Sequence, residues 1–91
     1  MIRVHPGKIL ADEMRARALS ANALALKLRV PANRITEIVN SRRSISPETA
    51  IRLGHYFGTG AGLWIRLQAD YDLAQTEKKL GATIRREVAA T

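Results

Sequence analysis

Residues 20–40, SANALALKLRVPANRITEIVN, decide how this chain is read. Leu24, Ala25 and Leu28 fall on one face of a helix, and Ile35, Ile38 and Val39 repeat the pattern after a break. Ser20 suits an N-cap, because its hydroxyl can accept from a backbone N–H that the first turn leaves unpaired. The break is Arg29-Val30-Pro31, where the proline cannot continue one helix but suits the start of the next. The spacing therefore predicts helices over 21–28 and 32–40 joined by a tight turn, a helix-turn-helix. Ala25 supplies the small side chain needed where the second helix crosses closely over the first. Arg29 stands where such a turn commonly has glycine. Either it accepts a left-handed backbone at about 1–2 kcal/mol, or the turn is built differently.

Outward from this motif, Pro6 suits a first helical turn, and Leu10, Met14 and Ala18 recur at four-residue spacing, predicting a helix over 7–18 after an irregular arm at 1–5. Asp12 and Glu13 lie on its solvent side. His5 is a lone imidazole with no partner at ligand spacing, so a surface or capping role is expected and no metal site. After the motif comes SRRSIS (41–46), short, polar and basic. Ser46-Pro47-Glu48 then combines an N-cap, a first-turn proline and a carboxylate near the positive helix end. A helix over 47–57 should follow, burying Ala50, Leu53, Gly54 and Phe57, with His55 outward and Gly58 closing it.

Thr59 is the expected cap of a fifth helix whose main apolar stripe is Trp64, Leu67, Tyr71 and Ala74. A second set, Ile65, Ala69, Leu73 and Leu80, lies on a different side when positions are turned by about 100° per residue. A helix apolar on two sides meets two partners: here its own core and, as an expectation, the same helix of a second copy. Residues 81–91 carry Ile84 and Val88 four apart, which leaves a loose tail, a helical turn and a small edge strand all open.

The chain has 91 residues, near the lower end of what one core stabilises alone, so a single domain and a homodimer are expected. Its 46% hydrophobic content with only 4% aromatic residues fits a helical core of Leu, Ile, Val and Ala. No cysteine is present, which removes disulfides, thiolate nucleophiles and thiol metal sites and is compatible with a reducing cytoplasm. MIRVHPGKIL lacks the apolar run of a signal peptide, and no run of about 18 apolar residues occurs, so the expected setting is soluble and cytoplasmic, away from membranes.

The net charge is +7, and its distribution is uneven. Residues 20–46 hold Lys27, Arg29, Arg34, Arg42 and Arg43 against Glu37 alone, whereas residues 47–80 balance to zero. Positive charge gathered on the helix-turn-helix predicts a polyanionic partner, double-stranded DNA. With Ile35 pointing inward, Asn33, Thr36, Glu37 and Asn40 point outward and Arg34 lies to one side. Asn33 can pair with adenine, Arg34 can reach guanine or a phosphate, and Thr36 can contact a base or a thymine methyl. Glu37 can accept from cytosine or orient a neighbouring arginine. The expected base readers are thus Asn33, Arg34, Thr36 and Glu37, and the expected phosphate contacts are Ser20, Asn22, Lys27, Ser41, Arg42 and Arg43. A glycine-rich phosphate loop, a His/Cys/carboxylate cluster and a nucleophile with a base nearby are all missing from the sequence, so neither an enzyme nor a cofactor is expected.

Four blocks in order, HPGKIL (5–10), VPANRITEIVNSRRSIS (30–46), ETAIRLGHYFGT (48–59) and LWIRLQADYDL (63–73), resemble the HigA-type antitoxins, a branch of the Xre-like helix-turn-helix family. The resemblance implies an all-α, five-helix bundle with a lambda-repressor-like helix-turn-helix, in one domain over 1–91 with a dimerisation helix and tail at 60–91. It also implies an antitoxin that inhibits a HigB-type mRNA-cleaving toxin and represses its own operon as a dimer on a palindromic operator, with Asn33, Arg34, Thr36 and Glu37 as the recognition surface. Two positions depart from the family pattern: Arg29 for the turn glycine, and Gly60-Ala61-Gly62 at the start of the fifth helix. Two other functions fit the motif. A free-standing repressor would use the same DNA face, but too few residues remain for an effector domain. A protein-interaction module would not need the clustered positive charge.

Overall fold

A computed structural model describes residues 4–91, which form five helices: α1 (Pro6–Ala16), α2 (Ala21–Leu28), α3 (Ala32–Val39), α4 (Pro47–Phe57) and α5 (Ala61–Glu87). Of the expected arm at 1–5, residues 1–3 lie outside the described range. The all-α class and the helix-turn-helix are as expected, with α2 and α3 forming the motif. The core is drawn from all five helices and the α3–α4 loop. Leu10, Leu24, Ile35, Ile38, Ala50, Leu53 and Trp64 are fully buried, and Ile45 reaches in from the loop. Among the described residues no helix is long and apolar enough to cross a membrane.

Helix ends explain most differences from the expected boundaries. Helix α1 stops two residues early because Ala18 turns left-handed (φ 53°) and the Leu19 N–H bonds back to the Met14 carbonyl at 2.8 Å. Ala18 is therefore exposed and leaves the apolar stripe. Arg29 does accept the left-handed backbone (φ 61°, ψ 45°), and the Val30 N–H closes the turn on the Ala25 carbonyl at 3.1 Å. Helix α3 ends in the same way: Ser41 is left-handed (φ 61°) and the Arg42 N–H reaches the Glu37 carbonyl at 2.8 Å. All three closures follow the pattern in which a left-handed residue lets the next N–H satisfy an orphaned helical carbonyl, each with a non-glycine residue where glycine is cheaper.

Ser20 and Ser46 cap α2 and α4 as expected, accepting from the Ala23 and Thr49 N–H groups at 3.1 and 3.3 Å. Thr59 does not cap α5. Gly60 (φ 81°) takes that place without a side-chain bond, and the Thr59 hydroxyl accepts instead from the indole N–H of Trp64 at 3.0 Å. A buried indole needs a partner for its N–H, and this one fixes the α4–α5 corner around the deepest aromatic side chain. Phe57, expected in the core, is half-buried: it packs against the Trp64 ring on one side and carries the Arg17 guanidinium, 4.7 Å from its ring centre, on another. Val39 is also half-buried, at the edge of the α3 stripe.

His5 is the N-cap of α1. Its Nδ1 accepts from the Gly7 N–H at 2.9 Å, and its ring meets Tyr71 of α5 edge-on at 4.9 Å, so it is a buried cap and not a surface group. At the same end of α1, a Cβ on Gly7 would overlap the Ile38 carbonyl. The glycine thus brings the backbone of α1 directly against α3. The expected tail at 81–91 is mostly helix: α5 runs unbroken through Gly81 to Glu87.

Candidate DNA-reading surface

Helix α3 presents two faces. Ile35 and Ile38 are fully buried, and Asn33, Thr36 and Asn40 lie exposed on the opposite side. The separation follows from helical geometry, since residues three and four apart share a face. Thr36 donates its hydroxyl to the Asn33 carbonyl at 3.2 Å, so its proton is engaged within the helix while its oxygen can still accept. Asn33 carries an amide able to offer a donor and an acceptor together.

The two charged members of the expected reading set are held differently. The Glu37 carboxylate accepts from Arg43 Nε at 2.8 Å, with Nη2 in charge contact with the same oxygen at 2.7 Å, so it orients a neighbouring arginine, one of the two roles its chemistry allowed. Arg34 leans back towards α4. Its Nη1 lies 3.7 Å from Glu48 Oε1, its Nε is buried without a hydrogen-bond partner, and its side chain is only 24% exposed.

The expected phosphate contacts lie on α2 and on the loop after α3. Asn22, Ser41 and Arg42 are exposed, and Ser20 already accepts the cap bond but keeps its hydroxyl proton free to donate. Lys27 lines a shallow groove of about 320 Å³ between the end of α2 and the outer face of α4, together with Arg29, Arg52 and His55. Arg43 is shared with Glu37, as above.

Two residues that position this surface carry no role in the reading of the sequence. Arg52 donates to Glu48 Oε2 through Nε (3.2 Å) and Nη2 (3.0 Å), and through Nη1 to the Leu28 carbonyl at the end of α2 (2.9 Å). A cation there also meets the negative end of the α2 dipole. Glu48 and Arg52 stand four apart, a spacing that marks a helical ion pair, which was the available signal. Gln68, buried on α5, accepts from the Ile45 N–H at 2.8 Å and donates to Asp72 Oδ1 at 3.0 Å. It ties down the loop that carries Ser41, Arg42 and Arg43. Its signal was a polar residue on the Trp64–Tyr71 stripe.

A helix-turn-helix family model matches residues 10–64. Virulence-associated protein I of Dichelobacter nodosus is 46% identical over 79 residues, covering 86% of this chain and 73% of that protein. An addiction module antidote protein of a HigA family from Coxiella burnetii superposes with a TM-score of 0.96 at 44% identity, over the whole of both chains. The Pseudomonas aeruginosa antitoxin HigA, solved with the higBA promoter, superposes at 0.94 and 42% identity, covering 97% of each chain. A match over more than half the chain, with near-complete superposition on those structures, shows that this chain belongs to the Xre-like helix-turn-helix family, in its HigA-type antitoxin branch.

Proposed function

We propose that this protein is a cytoplasmic, dimeric DNA-binding antitoxin that neutralises a HigB-type mRNA-cleaving toxin and represses its own operon at a palindromic operator. The observation that carries the DNA half is the outer face of α3, where Asn33, Thr36 and Asn40 stand exposed opposite a sealed apolar seam, with exposed cations on α2 (Lys27) and on the loop that follows α3 (Arg42, Arg43). Side chains that leave the amino-terminal half of such a helix reach base edges, and the surrounding cations meet phosphates. The Pseudomonas aeruginosa relative bound to its promoter supports the same use of the motif here. The toxin half rests on membership of the antitoxin branch.

Dimerisation is supported by the shape of α5. The chain extends 49 × 21 × 21 Å with a radius of gyration of 15.5 Å, against about 12 Å for a compact chain of this length. The excess is the overhang of α5, which with its C-cap Val88 carries Leu73, Leu80, Ile84 and Val88 to solvent in continuation of Ile65 and Ala69. A second copy of the same helix would cover that stripe and set two α3 helices at one spacing, as a palindrome requires.

Titration of the protein's own upstream DNA at several salt concentrations tests the reading. If a dimer neutralises about six phosphates, the slope of log affinity against log salt is about −5; a slope near zero removes DNA binding. Co-expression with the neighbouring small open reading frame tests the toxin half, with a stable complex and restored growth expected. Absence of both removes the antitoxin role while leaving DNA binding intact.

A further inference from the structure

We propose that Glu48 is a positioning residue for DNA recognition: by dividing its carboxylate between Arg34 and Arg52 it presents the Arg34 guanidinium in one orientation and penalises binding that does not engage it. The inference rests on the reading in which the α3 face meets DNA. Glu48 is the second residue of α4, and its side chain is 61% exposed. Its two oxygens face different arginines: Oε1 lies 3.7 Å from Arg34 Nη1, and Oε2 is bonded by Arg52 Nε and Nη2. Arg52 is fixed in turn on the Leu28 carbonyl. Helices α2, α3 and α4 are thus joined through one carboxylate, and the chain of contacts ends on an arginine at the flank of the reading face.

The distances make the two contacts unequal. Arg52 forms true charge-assisted hydrogen bonds, whereas 3.7 Å is beyond hydrogen-bond length. Glu48 therefore orients Arg34 by charge without consuming its donors, and the Nη groups stay available for a base edge or a phosphate. Arg43 is the contrast, since its Nε is spent on a hydrogen bond to Glu37 at 2.8 Å and its Nη2 is held against the same oxygen. An arginine whose side chain is three-quarters buried and whose guanidinium is already drawn to one carboxylate loses little freedom on binding. An exposed carboxylate beside it repels phosphates wherever Arg34 is not engaged, which disfavours the wrong sites more than the right one.

The test compares the full-length protein with Glu48→Gln, which keeps the side chain's shape and removes its charge. Duplexes enriched by the wild-type protein from a random 24-bp pool serve as specific DNA, and scrambled duplexes as non-specific. Glu48→Gln should strengthen non-specific binding and lower the specific-to-non-specific affinity ratio by roughly tenfold, with a salt slope steeper by about one per released arginine. Glu48→Asp, one methylene too short to serve both arginines, should lower the ratio as well, which keeps the test open if the Gln variant folds poorly. In an Arg34→Ala background the effect of Glu48→Gln on the ratio should vanish. A ratio unchanged in Glu48→Gln, or lowered equally with and without Arg34, overturns the proposal and leaves Glu48 a structural tie. Failure of the wild-type protein to enrich any duplex overturns the DNA-binding reading itself.

Discussion

His5 shows how one side chain couples folding to proton concentration. Its Nδ1 can accept from the Gly7 N–H only when unprotonated, and burial against Tyr71 pushes its pKa below the ordinary 6.5, with Asp72 opposing weakly. The unfolded chain therefore binds a proton more readily than the folded one, and stability rises with pH across that window. The contribution is complete above about pH 6.5 and is lost as the pH falls from there towards the lower, folded-state value. His5→Asn keeps a capping oxygen without a titrating group. Urea unfolding at pH 7.5 and 5.5 should show a smaller loss of stability for the variant than for the wild type; equal losses would show that the imidazole is not responsible. Arg29 makes a different point at the same scale. Its left-handed backbone (φ 61°) could not be chosen from the sequence, because a strained arginine and a rebuilt turn satisfy the same apolar spacing.

At the scale of elements, the loop over residues 40–46 depends on an anchor from a distant helix. Ile45 inserts its side chain into the core, and its backbone N–H has Gln68 as its acceptor. Replacing Gln68 with alanine leaves a buried donor unpaired at a cost of about 1–3 kcal/mol, read as a lower urea midpoint. It also frees Arg42 and Arg43 to move, so operator affinity should fall by several-fold more than for a packing variant of equal stability loss, such as Leu67→Ala at the edge of the core. An identical fall in both would limit Gln68 to stability. The helices themselves were legible because their signals are local: Ser20 and Ser46 cap, Pro47 starts and Gly58 ends as their chemistry dictates. What was not legible depends on tertiary contact. Thr59 was drawn from its capping role by the Trp64 indole, Ala18 left its stripe to close α1, and Gln68 and Arg52 act through partners more than 20 residues away. The outward set on α3 could be read from Ile35 by helical geometry alone, whereas the burial of Arg34 against Glu48 could not, because it is made by the approach of α4.

At the scale of the whole molecule, α5 is longer than the bundle that supports it. Its 27 residues span about 40 Å, yet its buried residues other than Gly81 are Trp64 and Gln68, both in the first third. A helix segment of a dozen or so residues standing free in water is marginal on its own, and Gly81 in its interior weakens it further by up to about 1 kcal/mol. In the dimer proposed above, the exposed Leu73 (68%), Leu80 (50%) and Ile84 (44%) form the paired face, and exposed Val88 extends it beyond Ile65, Ala69, Leu73 and Leu80. The double substitution Leu80→Glu/Ile84→Glu would place four carboxylates within one paired interface while touching none of the core residues of the single chain. Sedimentation should then shift from about 20 kDa, twice the 10.1 kDa chain, to the monomer. Affinity for a palindromic duplex should fall at least about 100-fold, because the second α3 helix no longer binds as part of the same molecule. Binding to a single half-site should be unchanged. A variant that stays dimeric, or that loses half-site binding as well, would place the dimer contact elsewhere or tie the overhang to the fold of the reading domain.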